Sequence, residues 1–424
     1  MVTREGVWQH LPPDRRPALK ALVVSRSPAR FLTARFLKDR LTDKAIESGP
    51  LSLKDVDTPR QPSNEWVRVR PLLSGICGSD IATVFFNSSR YFDPLTSLPF
   101  TPGHEIVGER VDRPGERVVV EPALTCAIRG LAPCRFCAAG ETQRCESIAI
   151  GDLKEGIQLG YCASTGGGWS NEFIAHERAL HLLPETLTLE DAVMIEPLAC
   201  AIHISLAPSR RQGNLAIIGA GTVGLTTLAA SAQLGEYDSI TVVAKHPLQR
   251  QLAKDLGATQ VLYPDELLGA ARRLHASQRV GRYLSDGFDT IIDAVGSTST
   301  IESAVETVRP GGEVIMAGMP SRQSLDLAPL WHREITLKGA YAYGQEQLDP
   351  ATAKRIGLLS SDGLPRTFDI ALHLAPKLGL GRLVTHRYRL NEYVPALRKA
   401  YHGGREDAIK VVFDLTKRKS VHDA

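Results

Sequence analysis

The stretch LAIIGAGTVG, residues 215 to 224, decides the fold of this 424-residue chain. Four apolar residues of strand type run into a glycine-rich turn, and a helical stretch follows as far as Gly235. In such a turn the first glycine permits a tight bend, the second lets a pyrophosphate approach the backbone, and the third lets helix and strand pack closely. The stretch therefore predicts a dinucleotide site. Its predicted cofactor-binding residues are Gly219, Gly221, Thr222, Val223 and Gly224.

Apolar runs of strand length alternate with helical stretches from this turn onward. The runs cover residues 215–218, 240–243, 259–262, 288–292, 313–317 and 335–338. Strands separated by helices form a parallel sheet with helices on both faces. We therefore predict an α/β fold containing a Rossmann-type, doubly wound, six-stranded parallel sheet.

The chain before this sheet has a different texture. From residue 66 to 120, short apolar runs are split by glycine, proline and aspartate, which is typical of a β-rich domain. The length exceeds one ordinary core, and the strand-helix alternation ends near Tyr343. We predict a first domain over residues 1–197 with a cysteine lobe at 126–145, an NAD(P)-binding Rossmann domain over 198–342, and a C-terminal return to the first domain over 343–424.

Composition and charge favour small-molecule partners. Hydrophobic residues make up 43% and charged residues 23% of the chain, as in globular proteins, and the net charge is only +3. A charge this small gives no electrostatic case for nucleic acid or an anionic membrane. No apolar stretch approaches the roughly 20 residues of a membrane span, and the N-terminus lacks an apolar signal core. We expect a soluble, cytoplasmic protein.

The segment from Arg30 to Arg40 alternates apolar and basic residues at helical spacing. Such a helix could lie on a membrane surface or pack on its own domain. We favour packing, because the segment is short and nothing else in the sequence supports membrane binding.

The end of the second predicted strand bears on the choice of nicotinamide cofactor. An NAD site usually ends this strand with an acidic residue that accepts hydrogen bonds from the ribose hydroxyls. Here Val243 is followed by Ala244 and Lys245, with Arg250 one turn further on. Alanine removes the carboxylate that would repel a 2′-phosphate, and the two cations could either neutralise that phosphate or be solvated surface residues. We favour NADP(H) over NAD(H).

Three separated segments offer ligands of the right softness for zinc. They supply a thiolate from Cys77, an imidazole from His104 and a carboxylate from Glu196. Three protein ligands and one open position are what a catalytic zinc needs. Seven cysteines, an odd number with four between Cys126 and Cys145, favour metal ligation in a reducing compartment over a disulfide framework.

In content and order these segments resemble the zinc-dependent medium-chain alcohol and polyol dehydrogenases. The matching motifs are Gly-Ile-Cys-Gly-Ser-Asp at 75–80, Gly-His-Glu at 103–105, the cysteine cluster, Glu-Pro-Leu-Ala at 196–199 and the glycine turn. The resemblance runs from about residue 66 to 412 and implies that the first domain is a GroES-like catalytic domain. It also implies that Cys77 and His104 bind the catalytic zinc, with Glu196 completing the set as in the sorbitol-dehydrogenase-like branch.

The same resemblance implies roles for neighbours of that zinc. Glu105 would lie beside the metal as a supporting group or an exchanging ligand, and Ser79 would be the first hydroxyl of a proton relay. The relay histidine of many relatives falls at Ala82, so either Glu105, water or another route carries the proton. Further implied cofactor contacts are Val295, Gly318 and Lys410, the last of them to the pyrophosphate.

A structural zinc is the second metal that the resemblance implies. Its ligands would be Cys126, Cys134, Cys137 and Cys145. The family's first ligand matches Leu131, so Cys126 must reach the site through a longer loop that contains Arg129 and Gly130.

We therefore predict an enzyme that uses zinc to transfer hydride between an alcohol, polyol or sugar and NADP(H), and that assembles as a homodimer or homotetramer. An NAD-linked member of the same family is one alternative. A zinc-free quinone or enoyl reductase is a second, which the set of Cys77, His104 and Glu196 disfavours. A zinc- and nucleotide-binding protein without turnover is the third.

Overall fold

A computed structural model describes residues 19–274, 276–358 and 364–416. The first 18 residues of the predicted first domain and the last eight of the predicted C-terminal return lie outside these ranges. Among the described residues, no helix is both long and apolar enough to cross a membrane.

Strands and helices account for most of the described chain. The strands are β1 (Leu19–Val24), β2 (Leu51–Val56), β3 (Trp66–Gly75), β4 (Ile106–Arg110), β5 (Arg117–Val120), β6 (Phe173–His176), β7 (Leu180–Leu182), β8 (Gln212–Ile218), β9 (Glu236–Val243), β10 (Gln260–Leu262), β11 (Arg279–Val280), β12 (Tyr283–Leu284), β13 (Phe288–Asp293), β14 (Val308–Met316), β15 (Thr336–Gly339), β16 (Val384–Tyr388) and β17 (Lys410–Asp414). The helices are α1 (Pro28–Leu37), α2 (Thr42–Glu47), α3 (Gly78–Val84), α4 (Arg135–Ala138), α5 (Leu189–Val193), α6 (Ile195–Leu206), α7 (Thr222–Leu234), α8 (Pro247–Asp255), α9 (Leu267–Leu274), α10 (Thr298–Thr307), α11 (Ala328–His332), α12 (Pro350–Ile356), α13 (Thr367–Leu378) and α14 (Tyr393–His402).

The predicted parallel sheet is confirmed. Its six strands lie in the order β10-β9-β8-β13-β14-β15, and every pair of neighbours is parallel. The chain leaves β8 toward one edge of the sheet and returns at β13 toward the other, so a crevice opens at the carboxyl ends of these two central strands. The glycine turn follows β8 and therefore lies at that crevice.

Strand β14 begins five residues earlier than the apolar run that the sequence predicts. β14 starts at Val308 and runs through Pro310, Gly311 and Gly312, residues that usually interrupt strands. Its register against β13 shifts between the pair Phe288–Val308 and the pair Thr290–Glu313. The irregular residues are accommodated in this bulge, so the strand continues past them.

The second sheet lies in the β-rich part of the chain and is mostly antiparallel. Its strands follow the order β16-β17-β3-β4-β5-β7, and β6 also pairs with β3. β17 pairs with β16 in parallel and with β3 in the antiparallel sense. The last described strand of the chain is thus hydrogen-bonded to the strand that leads to Cys77.

The first helix packs on the protein as predicted. Ala34 of α1 is fully buried, and Phe31 and Leu37 contact the apolar cluster that also contains Ile46. The opposite face carries Phe36, which is 84% exposed. The helix therefore packs through one face only and leaves the apolar side chains of Leu32 and Phe36 exposed.

Candidate active site and metal centres

Cys77 and His104 come together at adjacent strand ends. β3 ends at Gly75, and Cys77 then caps the N-terminus of α3, while His104 precedes β4, the neighbour of β3. One ligand atom from each of Cys77, His104 and Glu105 lies within 4.8 Å of the other two. A thiol, an imidazole and a carboxylate at this separation can share one metal ion.

Asp80 supports this set and was not among the residues predicted from sequence. Its carboxylate, 2% exposed, accepts a hydrogen bond from the Cys77 amide at 2.9 Å and lies 3.6 Å from Nδ1 of His104. Burial alone would lower the pKa of His104, but the negative charge of Asp80 and contact with Cys77 raise it well above its usual range. A proton on Nδ1 would leave Nε2 free for a metal. The sequence signal was a capping box. In this motif the side chain of the third helical residue, Asp80, accepts a hydrogen bond from the backbone amide of the N-cap residue, Cys77.

Glu105 approaches the site over Gly75 and meets a lysine there. A methyl group on Gly75 would lie 1.8 Å from Oε2 of Glu105, so only glycine leaves room for this carboxylate. The ammonium of Lys410 is 2.6 Å from both carboxylate oxygens and is itself 2% exposed. Lys410 was predicted to contact the cofactor pyrophosphate, whereas its described partners are Glu105 and, at 3.4 Å, the carbonyl of Ile76.

Glu196 faces the same region without joining the close set of Cys77, His104 and Glu105. Burial raises its pKa to about 7, and the negative charge of Glu105 adds to the rise while His104 and Lys410 oppose it. The thiol of Cys200, one helical turn later on α6, donates to Oε1 of Glu196 at 3.7 Å. The sequence predicts Glu196 as third ligand and Glu105 as a neighbour of the metal, whereas the structure places Glu105 in the close set with Cys77 and His104.

Two hydroxyl groups at this site lack hydrogen-bond partners within the part of the chain that the structure describes. Tyr343 is 1% exposed, and its hydroxyl faces Glu196 closely enough to influence that carboxyl. Neither Tyr343 Oη nor Ser79 Oγ has a partner of good geometry among the described residues. Buried hydroxyls are almost always hydrogen-bonded in folded proteins, so both are free to bind an incoming polar group. Sequence alone gave no signal for Tyr343, which follows the last strand of the Rossmann sheet.

The glycine turn has the shape that a pyrophosphate requires. Gly219 adopts a φ of 100°, and a methyl group on Gly224 would lie 1.9 Å from the carbonyl oxygen of Gly219. The position that a methyl group on Gly221 would occupy has no atom within 4 Å. The backbone at the N-terminus of α7 is therefore open on this side. Val223 lies in the first turn of that helix. Val295, just after β13, lies beside Gly219, and Gly318, just after β14, lies against the backbone of Val295.

The metal-ligand set and the glycine turn meet at β17. The hydroxyl of Thr222 donates to the carbonyl of Ile409 at 2.9 Å, and the next residue is Lys410, which holds Glu105. One short segment of backbone therefore joins the first turn of α7 to the set that contains Cys77 and His104. A dinucleotide at this turn and a metal at this set would therefore be held by elements that contact each other directly.

The end of β9 is basic, as the sequence predicts. Ala244 is buried, and Lys245 is exposed and has no ion-pair or hydrogen-bond partner within the described ranges. Arg250 stacks over the ring of Tyr263 at 3.8 Å and donates to the carbonyls of Ala244 and Val261. Arg250 thus already uses some of its hydrogen-bond donors, while the ammonium of Lys245 keeps all three of its donors free.

The four predicted cysteines of the lobe converge. One sulfur from each of them lies within 4.8 Å of the others, and Sγ of Cys126 is 3.6 Å from Sγ of Cys145. The full set is Cys126, Cys134, Cys137 and Cys145, and all four are free thiols. A tetrahedral zinc with bonds of about 2.3 Å holds its sulfurs roughly 3.8 Å apart, so the spacing fits this metal. Backbone amides of Glu146 and Cys137 lower the pKa of Cys134 to about 6, which favours the thiolate that zinc binds.

The longer loop before Leu131 folds back on itself. A short helical turn follows Cys126, Gly130 adopts a left-handed φ of 68°, and the amide of Leu131 donates to the carbonyl of Cys126 at 3.0 Å. The side chain of Arg129 is fully buried and donates to the carbonyls of Leu124, Ile150, Leu153, Lys154 and Gly156. This cage of carbonyls fixes the loop, and the displaced Cys126 therefore reaches the cluster.

Replacing Cys126 with serine is expected to lower the zinc content from the two per chain that we predict to about one. A four-thiolate zinc contributes on the order of 10 kcal/mol to local folding, so the lobe should also become sensitive to proteolysis. Metal analysis of the purified protein checks the count, and Cys162→Ser, which changes a buried thiol outside the cluster, is the matched control. A wild-type content near one zinc, with Cys126 rapidly alkylated in the native protein, would contradict a structural zinc here.

Two family models match the chain, one on each of its main sheets. The alcohol dehydrogenase GroES-like domain matches residues 63–185, and the zinc-binding dehydrogenase domain matches residues 222–355. Together they cover more than half of the chain. The first coincides with the region of Cys77, His104 and the cysteine lobe, and the second begins in the glycine turn.

Relatives agree with these matches. The chain is 28% identical to sorbitol dehydrogenase of Bacillus subtilis, over 66% of this chain and 76% of the relative. It is 27% identical to D-arabitol-phosphate dehydrogenase of Enterococcus avium, over 85% of this chain and 92% of the relative. Galactitol-1-phosphate dehydrogenase of Escherichia coli has the same fold, with a TM-score of 0.65 at 22% identity over 93% of this chain and 99% of that one. The chain therefore belongs to the zinc-dependent medium-chain dehydrogenase family.

Proposed function

We propose that this protein is a zinc-dependent dehydrogenase that interconverts a hydroxyl of a polyol or sugar alcohol and the matching carbonyl, with NADP(H) as its cofactor. Relatives named for sorbitol, D-arabitol phosphate and L-idonate support a polyol substrate. The unpartnered hydroxyls of Ser79 and Tyr343 also support it, because a polyol presents several hydroxyls to be bound.

One observation carries the proposal. The set of Cys77, His104 and Glu105 is linked through Lys410 to the backbone carbonyl that Thr222 binds at the start of α7. Hydride transfer needs its two partners held at a fixed separation, and a rigid link between a metal set and a dinucleotide turn supplies it. A binding protein without turnover would not need this link.

Zinc supplies Lewis-acid polarisation of the substrate oxygen when it is bound, and the nicotinamide supplies a hydride acceptor. The residues of the chain do the rest. Asp80 orients His104 and the Cys77 amide, and Lys410 balances the charge of Glu105. Ser79, two residues after Cys77 and with a buried hydroxyl that has no hydrogen-bond partner in the described ranges, would take the hydroxyl proton of the substrate.

Metal analysis combined with a substrate panel tests this function. Purified protein is assayed with polyols, sugar alcohols, simple alcohols and their carbonyl counterparts, each with NADP(H) and NAD(H). We expect turnover of at least one polyol, lost on chelation and restored by zinc. Nucleotide binding and a full zinc content without turnover across the panel would favour a non-catalytic protein instead.

The cofactor preference is expected to depend on Lys245. A hydrogen bond to a charged group contributes about 1.5–3 kcal/mol, so Lys245→Ala should raise the KM for NADP(H) by about tenfold or more and leave the KM for NAD(H) nearly unchanged. Initial rates at varied cofactor concentration measure both constants. Lys254→Ala, which removes an exposed lysine on α8, the helix that follows Lys245, is the matched control for the lost charge. Equal or better kcat/KM with NAD(H) in the wild-type protein would overturn the NADP(H) preference.

A further inference from the structure

A buried histidine of β7 lies between two carboxylates, outside both metal-ligand sets. His181 is 8% exposed, with Nε2 at 3.1 Å from Oε2 of Glu121 and Nδ1 at 3.5 Å from Oδ1 of Asp369. Glu121 directly follows β5 of the β-rich sheet, whereas Asp369 lies in the first turn of α13. His181 therefore ties that sheet to a helix of the C-terminal return.

The geometry around His181 favours the imidazolium form. A neutral imidazole has one N–H donor, so it can donate to only one of the two carboxylates. Burial would lower the pKa of His181, but hydrogen bonding to Asp369 and Glu121 raises it overall. The guanidinium of Arg366 opposes this rise and donates to the same oxygen of Glu121. Within the described ranges, Glu121, Arg366 and Asp369 are the charged side chains that act on the ring.

The same turn of α13 holds the segment that carries Tyr343. The amide of Thr367 donates to the carbonyl of Gly344 at 2.8 Å, and the amide of Gly344 donates to the hydroxyl of Thr367 at 3.0 Å. The ring of Phe368 stacks on His181 with centroids 5.1 Å apart and meets Tyr343 edge-on at 4.9 Å. Phe368 therefore contacts the charged histidine and the tyrosine of the site at once.

We propose that His181, charged between Glu121 and Asp369, is a positioning residue that holds Tyr343 in place for the substrate. This inference rests on the proposed function, in which the hydroxyl of Tyr343 binds a hydroxyl of the polyol. Without its charge, His181 could donate to only one carboxylate, and the first turn of α13 would be held less firmly. Because side chains in a protein interior are closely packed, a shift of Phe368 would move the ring of Tyr343 with it.

The charge of His181 makes this hold depend on pH. The imidazolium is fully present below the ordinary pKa of histidine, about 6.5, and is lost as the pH rises through the higher pKa of the folded protein. The KM for the polyol should therefore rise on the alkaline side. A histidine that served only to fill space would give no such rise.

The first test replaces His181 with glutamine, which removes the charge and keeps a hydrogen-bonding side chain. We expect the KM for the polyol to rise about fivefold at neutral pH, the size of effect that loss of one hydrogen bond produces, with kcat changed by less than about twofold. The part of the alkaline rise that belongs to His181 should disappear. His176→Gln, which alters a buried histidine of β6 that packs on Trp66, is the matched control and should match the wild type.

A double-mutant cycle shows whether His181 acts through Tyr343. Tyr343→Phe should also raise the KM for the polyol about fivefold. The double variant His181→Gln/Tyr343→Phe should be no worse than either single variant, because both changes affect one hydroxyl.

Asp369→Asn tests the same role if His181→Gln does not fold. The side chain of Asp369 is 52% exposed, and asparagine keeps an oxygen for the amide of Arg366, which donates to Asp369 at 3.3 Å. One of the two carboxylates that stabilise the imidazolium is then gone. The alkaline rise in KM should therefore move to lower pH.

Four outcomes would contradict the inference, and they separate it from the proposed function. Identical pH profiles of KM in the wild type, His181→Gln and Asp369→Asn would overturn the positioning role alone. Additive effects of His181→Gln and Tyr343→Phe would do the same. A His181→Gln variant that loses zinc and kcat together would make His181 a general structural residue and would also overturn the role. Absence of polyol turnover in the wild type would overturn the proposed function, and the positioning role with it.

Discussion

Replacing Cys77 with serine is expected to lower kcat/KM by about 1,000-fold or more. Lewis-acid stabilisation by a metal is worth several kcal/mol, and each 1.36 kcal/mol corresponds to a tenfold change in rate. Serine keeps the size of the side chain and the N-terminal cap of α3, but its hydroxyl is not ionised at neutral pH and binds zinc poorly. The loss should therefore appear in turnover and in zinc content together.

Steady-state kinetics and metal analysis on the same preparations check this expectation. Cys162→Ser, a thiol change outside both metal-ligand sets, should keep both zinc ions and the wild-type rate. Cys77→Ser should keep the structural zinc, so its metal content should fall from two per chain to about one. Undiminished turnover in this variant, or in protein stripped of metal, would rule out a zinc mechanism at this site.

The parallel sheet could be predicted because its signals are local. Each strand is a short apolar run, each helix has its own periodicity, and the glycine turn at Gly219 fixes where the first strand meets the first helix. The start of β14 could not be predicted in this way, because Gly311 and Gly312 continue as strand only through the bulge against β13. That bulge depends on a partner strand and not on the residues themselves.

The positions of Cys77 and His104 could be expected together because β3 and β4 are neighbours and each residue lies beside a strand end. The spacing of residues in the sequence could not predict that Glu105, and not Glu196, lies closer to Cys77 and His104. Lys410 is 305 residues from Glu105 in sequence and meets it only because β17 pairs with β3.

The buried pair of Lys410 and Glu105 leads to a second large expected effect, this time on stability. Lys410→Met should lower the free energy of unfolding by about 3–5 kcal/mol, because it leaves the carboxylate of Glu105 buried without its cation. Urea denaturation measures the change. Lys399, which pairs with Glu406 at 3.0 Å with part of both side chains exposed, is the matched control, and Lys399→Met should cost no more than about 1 kcal/mol.

A double variant separates this electrostatic effect from a role in cofactor binding. Lys410→Met/Glu105→Leu removes both charges, so it should recover most of the stability lost by Lys410→Met alone. Burial would lower the pKa of Lys410, but the charge of Glu105 raises it overall, so the stability that the Lys410 ammonium contributes is fully present at about pH 10.4, the unfolded pKa, and is lost as the pH rises through the higher folded pKa. If Lys410→Met kept wild-type stability and only raised the KM for the cofactor, Lys410 would act on the pyrophosphate. The loss of stability distinguishes a lysine that holds Glu105 from one that binds the nucleotide.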